Sequence, residues 1–368
     1  MEGLSALIPL GVAIVVTGLV TPLVSRLARS LQVLDRPKTR GVSARPDMPL
    51  LGGLAVAIGF GVGLWVAVLL LVEDLATAEH LKGLGLGALL LLGLGVVDDR
   101  SGLSAWPKFL VQILAAAIAI SYGFRLGHLT DPISLTSWHL PNLLVWIVSA
   151  VWIVGITNAL NLVDGLDGLA TGVGAIIGIT LTMIAWQANQ PVGVCVGVAL
   201  LGSLIGFLPF NFAPARIFLG DTGSLFIGYI LALLALEGYR QLSLLTFVVP
   251  LLALALPILD TGLSIVRRIR LGAPIFTADQ LHMHHRLLAS EGTPRRAVLQ
   301  IYFLTACFCL IAVSFTRLQG WAAALFLVAV GILTVRLLMN LGVLSTERVE
   351  EPLPVAPQPS PPPLEREP

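Results

Sequence analysis

Apolar residues arrive along this chain in long, nearly unbroken runs, separated by short polar stretches, with no strict alternation. Runs long enough to cross about 30 Å of hydrocarbon as helices lie at roughly 4–24, 50–72, 83–97, 106–122, 142–157, 166–186 and 192–209. Others follow at roughly 219–237, 243–266, 298–316 and 319–342. A helix is the expected form, because in lipid every backbone N–H and C=O must find its partner within its own segment, and these runs far exceed the strands of a barrel. The pattern predicts an all-α integral membrane protein with about eleven transmembrane helices.

Composition agrees, since only 12% of the 368 residues are charged and 56% are hydrophobic, whereas a soluble domain carries roughly twice that share of charge. The net charge of +1 carries no information here; the placement of Lys and Arg does. Arg26, Arg29, Arg36, Lys38, Arg40, Arg45, Arg100, Lys108, Arg216, Arg267, Arg268, Arg270, Arg286, Arg295 and Arg296 fall on one set of alternate loops. Lys82, Arg125, Arg240 and Arg317 fall on the other. That bias, fifteen against four, makes the first set cytoplasmic, with the N-terminus outside, the C-terminus inside and an odd number of spans. The chain turns apolar directly after Met1-Glu2-Gly3 without a basic leader, so the first run is expected to be a retained span. Residues 1–348 form the expected polytopic domain, and 349–368 a disordered Pro-rich tail that cannot bury enough apolar area to offset its ordering entropy. Cys195, Cys307 and Cys309 sit in apolar runs without metal-type spacing and read as packing residues.

Acidic residues are few, and they gather in inside loops or at the span ends beside them. Asp98 and Asp99 are adjacent carboxylates whose repulsion a divalent cation, a lysine or a shared proton would relieve; Lys108 is within reach, and the alternative is a solvated loop-end pair. The segment from Asn158 to Ala170 places Asn158, Asn161 and Asp164 three apart, on one face if the start is helical, where their oxygens suit a hard cation. Asp164 and Asp167 are each followed by a glycine and have no local Lys or Arg. Gly220-Asp221-Thr222-Gly223-Ser224 precedes an apolar run, where free helix N–H groups attract phosphate and Asp221 could hold a metal; simple helix capping is the alternative. The cluster His282-Met283-His284-His285-Arg286 offers imidazole and guanidinium donors to a diphosphate.

Together these motifs resemble the polyprenyl-phosphate N-acetylhexosamine-1-phosphate transferases of glycosyltransferase family 4. The resemblance is carried by Asp35-Arg36-Pro37, Pro49-Leu50-Leu51-Gly52-Gly53, Asp98-Asp99 with Lys108 and Gln112, Asn158 to Ala170, Gly220 to Ser224, and His282 to Leu287. The His-Met-His-His pattern is similar to the branch that uses UDP-GlcNAc, whereas a plain triple histidine run marks the branch using UDP-MurNAc-pentapeptide. Gly41 and Ser43 depart from the family pattern, which often has Lys and then His after the residue equivalent to Arg40.

The resemblance implies an approximately eleven-span helical fold in the bacterial cytoplasmic (inner) membrane, with its cleft on the cytoplasmic side. It implies Mg2+ as cofactor, with Mn2+ as an alternative ion. The partners it implies are UDP-GlcNAc, undecaprenyl phosphate and the bilayer lipid; a homodimer is compatible with it, and no nucleic acid is involved. By the same resemblance Asn161 and Asp221 take the metal, Asp98 handles the lipid phosphate with Asp99 in support, and Lys108 neutralises phosphate. Asp164 stabilises the cleft near the metal and Asp167 faces the uracil. Asn158, Gly220, His282, His284, His285 and Arg286 contact substrate, the last four at the diphosphate and sugar. Single displacement at the β-phosphorus is preferred, and a covalent aspartyl route is the alternative.

Two other classes compete. A secondary transporter would place its polar site near the bilayer midplane, yet here the carboxylates gather at the cytoplasmic edge and the runs are almost free of charge. CDP-alcohol phosphotransferases need a longer aspartate series with an Ala-Arg step that this sequence lacks.

Overall fold

Each of the eleven apolar runs is helical in the computed structural model, which describes residues 3–35, 47–72, 75–126, 129–130, 137–138, 141–237, 244–270, 282–316, 318 and 320–340. Among these residues the order begins with α1 (Gly3–Ser30), α2 (Gly52–Leu71), α3 (Leu75–Ser101) and α4 (Ala105–Ser121). A two-residue antiparallel pair, β1 (Leu129–Thr130) and β2 (Ser137–Trp138), follows. Then come α5 (Asn142–Val163), α6 (Leu169–Gln187), α7 (Pro191–Asn211), α8 (Gly220–Glu237) and α9 (Leu244–Ala253). The chain continues with α10 (Ala255–Arg270), α11 (Met283–Glu291), α12 (Pro294–Phe315) and α13 (Gly320–Asn340). Eight of these helices, α1, α2, α3, α5, α6, α7, α8 and α12, are long and apolar enough to cross a membrane, and α4 and α13 are shorter apolar helices. The chain is a multi-pass membrane protein.

Burial follows from that solvent. Large apolar side chains such as Leu143, Val151, Phe303 and Trp321 are well exposed, as lipid contact allows. The buried centre is α8, in which every residue but Asp221 is buried. It packs on α3, α5, α2, α6 and α7. Elsewhere small residues permit close crossing: a Cβ at Gly202 or Gly206 of α7 would press on the α1 backbone at Leu10 or Ile14, the usual device of helices that meet in lipid.

The run at 243–266 departs from the single span expected of it. It divides at Leu254 into α9 and α10, and Pro257 accounts for the division: a proline ring excludes the helical carbonyl four residues earlier, which here is the last residue of α9. The expectation of runs almost free of charge is also corrected in this segment. Asp260, Ser264 and Arg267 lie one and two turns apart on α10 and are all buried, while Ile265, Val266 and Ile269 are exposed. The helix therefore turns its polar stripe inward.

The tail at 349–368, and Arg36, Pro37, Gly41 and Ser43 of the first polar loop, lie outside the described residues. So does 271–281, ahead of the histidine cluster.

Candidate active site

The first turn of α8 is where several chain segments come closest. A Cβ on Gly53 of α2 would overlap the backbone of Gly223 and Thr222, and one on Gly95 of α3 would overlap the backbone of Thr222 and Asp221. Glycine at these two positions lets α2 and α3 touch the start of α8 directly. The motif Pro49–Gly53 adds three backbone hydrogen bonds to the strand-like entry into α8. Phe218 N–H donates to Pro49 O at 2.9 Å, Gly52 N–H to Phe218 O at 3.0 Å and Gly53 N–H to Leu219 O at 2.9 Å. Gly220, at φ +72°, then swings the chain into the helix.

This anchoring gives two adjacent carboxylates different work. Asp99 accepts the N–H of Asp221 at 2.8 Å, the N–H of Thr222 at 3.1 Å and the Thr222 hydroxyl at 2.7 Å. It caps α8 from another helix. Two of the N–H groups expected to face phosphate at this helix end, those of Asp221 and Thr222, are thus held by a protein carboxylate, and the Asp99 carboxylate lies against Gly220. Asp98 faces another way, because consecutive helical residues point about 100° apart. One of its oxygens accepts Leu103 N–H at 2.6 Å, and the other pairs with the Lys108 ammonium of α4.

Lys108 also reaches Asp221 Oδ2 at 3.0 Å. The second Asp221 oxygen accepts Asn161 Nδ2 at 3.1 Å, and the same amide donates to Ser224 Oγ at 2.8 Å. Asp98, Lys108, Asp221, Asn161 and Ser224 thus form one network drawn from α3, α4, α5 and α8. Asp98 and Asp221 share a single ammonium, so the pair retains excess negative charge, and its donors are oxygens, the set a hard divalent cation prefers. Asn161 would join such an ion through Oδ1. Among the described residues no three His, Cys, Asp or Glu stand together as a metal-binding group.

Asn158, expected to contact substrate, is bonded to protein groups on both sides of its amide. Its Nδ2 donates to Gln112 Oε1 at 2.5 Å and to Val154 O at 2.8 Å, while its Oδ1 accepts Gln112 Nε2 at 3.2 Å. This reciprocal amide pair ties α4 to α5. Gln112 lies one turn beyond Lys108 and Asn158 one turn before Asn161, so the tie sets the spacing of the two groups that flank Asp221.

The turn after α5 joins a second cluster to the first. Asp167 Oδ2 accepts Ala215 N–H at 2.9 Å, so one oxygen of the expected uracil acceptor holds the loop entering α8. Tyr302 of α12 donates to Gly168 O at 2.5 Å and lies beside Phe212, ring centroids 6.4 Å apart, with Arg295 5.7 Å above the Phe212 ring. Asp164 is half-buried as the C-cap of α5. The His284 ring rests on Gly165, where a Cβ would overlap Nε2. His282, His284 and Arg286 are buried at the start of α11; His285 lies on the same helix, its side chain outside the described set.

The segment 158–168 therefore meets the carboxylate network through Asn161 and the histidine cluster through the contact of Gly165 with His284. Sequence reasoning missed Asp260, which is buried and bonded to His282. An acid inside an apolar run is itself the signal that could have found it.

Comparison with known proteins gives matching results. Residues 81–239 match the model of glycosyl transferase family 4. A probable undecaprenyl-phosphate N-acetylglucosaminyl 1-phosphate transferase of Bacillus subtilis (strain 168) is 35% identical over 331 residues, covering 90% of each chain. The decaprenyl-phosphate N-acetylglucosaminephosphotransferase of Mycobacterium leprae (strain TN) is 34% identical over 79% of this chain and 78% of its own. A phospho-N-acetylmuramoyl-pentapeptide-transferase of Heliobacterium modesticaldum is 34% identical over 72% of this chain and 82% of its own.

Proposed function

We infer the chemistry of this site from one premise: the chain belongs to glycosyl transferase family 4, among the polyprenyl-phosphate N-acetylhexosamine-1-phosphate transferases. Within that family it transfers GlcNAc-1-phosphate from UDP-GlcNAc to a polyprenyl phosphate, releasing UMP. The acceptor proposed is undecaprenyl phosphate in the bacterial cytoplasmic membrane, with eleven spans, the N-terminus outside and the cleft open to the cytoplasm. The observation that carries the reading is the union of Asp98, Lys108, Asn161 and Asp221 in one hydrogen-bonded network.

An oxygen of the acceptor phosphate forms a bond to the β-phosphorus of UDP-GlcNAc, and the bond from that phosphorus to the oxygen bridging it to the α-phosphate breaks, with UMP carrying the electron pair away. Both reactants are anions, so charge neutralisation and positioning dominate the barrier. Asp98 orients the acceptor phosphate and takes its proton where one is present. Lys108 neutralises incoming phosphate oxygens. Asp221 and Asn161 would hold Mg2+, which when bound offsets phosphate charge as a Lewis acid. Asp164 and Asp167 shape the nucleotide side of the cleft, and His284 with Arg286 donates to the diphosphate.

The test incubates purified protein with magnesium, undecaprenyl phosphate and a panel of UDP-sugars, and follows UMP release. Release with UDP-GlcNAc, lost in Asp221→Ala while the protein stays folded in detergent, is the expected result. Release with UDP-MurNAc-pentapeptide instead, or full turnover by Asp221→Ala at saturating magnesium, would refute the donor or the metal assignment respectively.

A further inference from the structure

Helix α10 buries an ionisable group within a mainly apolar stretch, and such a group persists only when its oxygens are partnered. Asp260 is 3% exposed, and two partners meet it from the neighbouring helix. Its Oδ1 accepts the backbone N–H of Met283 at 2.7 Å, and its Oδ2 stands 3.1 Å from Nδ1 of His282. Met283 is the first residue of α11 and His282 its N-cap, which makes no side-chain capping bond of its own. Asp260 therefore supplies the cap from outside the helix. The same contact reaches further, because the His282 ring lies parallel to that of His284, centroids 5.8 Å apart and planes within 5°. His284 in turn rests on Gly165, in the turn that carries Asp164 and Asp167.

We propose that Asp260 is the positioning residue of the histidine cluster: by accepting the Nδ1 proton of His282 it fixes the tautomer and plane of that ring, and through the stacked pair sets His284 against the Asp164–Asp167 turn. A carboxylate that accepts from Nδ1 requires that nitrogen to carry a proton, which leaves Nε2 as the acceptor of the neutral ring. Asp260 touches neither substrate nor reacting atoms. The effect on donor use rests on the proposed function; the locking of the ring does not.

Asp260→Asn separates the two jobs of the side chain. The Met283 N–H is a fixed donor, so the asparagine carbonyl stays on it and the cap survives. Its NH2 then faces Nδ1, which must become the acceptor, and the imidazole proton moves to Nε2. The helix end is kept and the tautomer is inverted. Asp260→Ala removes both contacts and is expected to lower thermal stability as well.

Long-range proton–nitrogen spectra of the full chain in detergent, with 15N-histidine and His282 assigned by loss of its signals in His282→Gln, read the tautomer directly. The expected result is Nδ1–H at His282 in the native protein and Nε2–H in Asp260→Asn, with unchanged thermal unfolding. Steady-state UMP release should show the KM for UDP-GlcNAc raised about tenfold, the loss typical of outer-shell partners, with a much smaller change for undecaprenyl phosphate. An unprotonated Nδ1 in the native protein, a native donor KM in Asp260→Asn, or equal losses for both substrates would overturn the proposal. A native protein that locks His282 as described yet releases no UMP from UDP-GlcNAc would sink the proposed function and leave the ring-locking standing.

Discussion

Removing the Asp99 side chain tests whether this carboxylate works as chemistry or as architecture. Asp99 accepts two backbone N–H groups and one hydroxyl at the start of α8, at 2.8, 3.1 and 2.7 Å. Thr222 is fully buried, so in Asp99→Ala its N–H finds no water in exchange. Each buried donor left unsatisfied costs about 1–3 kcal/mol, and losing a helix cap alone costs about 0.5–2 kcal/mol. A loss of about 3 kcal/mol is therefore expected, equivalent to a fall of roughly 6–12 °C in Tm at about 2–4 °C per kcal/mol for a large domain. Activity should fall with it, because Asp221 is the first residue to lose its anchor. Asp99→Asn keeps one acceptor and lets the Thr222 hydroxyl turn from donor to acceptor, but its NH2 then faces one of the two backbone N–H groups, so it should recover only part of the stability. Asp98→Asn should behave in the opposite sense. Its amide oxygen can still accept Leu103 N–H, so Tm holds while the pairing with Lys108 and the transfer reaction are lost. The assay is thermal unfolding in detergent beside UMP release. An inactive Asp99→Ala protein that melts with the native one would refute the capping argument and return Asp99 to the chemistry.

Two further substitutions probe how the network is spaced. Gln112→Ala leaves the Nδ2 of Asn158 on Val154 O but takes the partner from its Oδ1 at a half-buried site, at about 1–3 kcal/mol, and frees α4 from α5. Transfer should slow about tenfold, an estimate in line with the loss when outer-shell partners go; an unchanged rate would show that Lys108 and Asn161 need no tie. Gly95→Ala presses a methyl group on the α8 backbone, with an overpacking cost of about 1–3 kcal/mol and loss of transfer. Gly93→Ala, where a Cβ meets nothing within 4 Å, should be neutral or stabilising by about 0.5–1 kcal/mol from helix propensity. Equal effects at the two glycines, measured by unfolding and UMP release, would remove the argument from close approach.

Hydrophobic patterning located the helices because lipid imposes one secondary structure on any long apolar run. It could not place their ends. The third run reads as 83–97, yet α3 continues to Ser101, since a helix needs backbone geometry and not apolar side chains, and Asp98 and Asp99 lie in its last turn. Their division of labour was illegible for that reason: two identical neighbours differ only in the direction each faces, and direction depends on where α8 and α4 come to rest. Spacing put Asn158 and Asn161 on one face, correctly for a helix that runs to Val163. Nothing local said that Gln112 would claim the first and Asp221 the second. Asp260 was legible in kind, as an acid in an apolar run, but its partner lies 22 residues away across a segment with no periodic pattern to place it.

Asp99 and Asp260 turn out to solve the same problem. Each projects from one helix and caps the N-terminus of another, Asp99 at α8 and Asp260 at α11, where the backbone N–H groups and helix dipole offset its charge. In each case the capped end carries a residue the reaction is expected to need: Asp221 at the first, the stacked His282 and His284 at the second. A helix end held by a carboxylate from a different helix cannot fray without breaking an interhelical contact, so the active groups share the stability of the bundle. The arrangement also changes how acidic residues in such a chain should be counted. Of Asp98, Asp99, Asp221 and Asp260, two cap the N-terminus of another helix and serve to hold the site, which leaves Asp98 and Asp221, joined through Lys108, as the pair with charge to offer a cation or a phosphate proton.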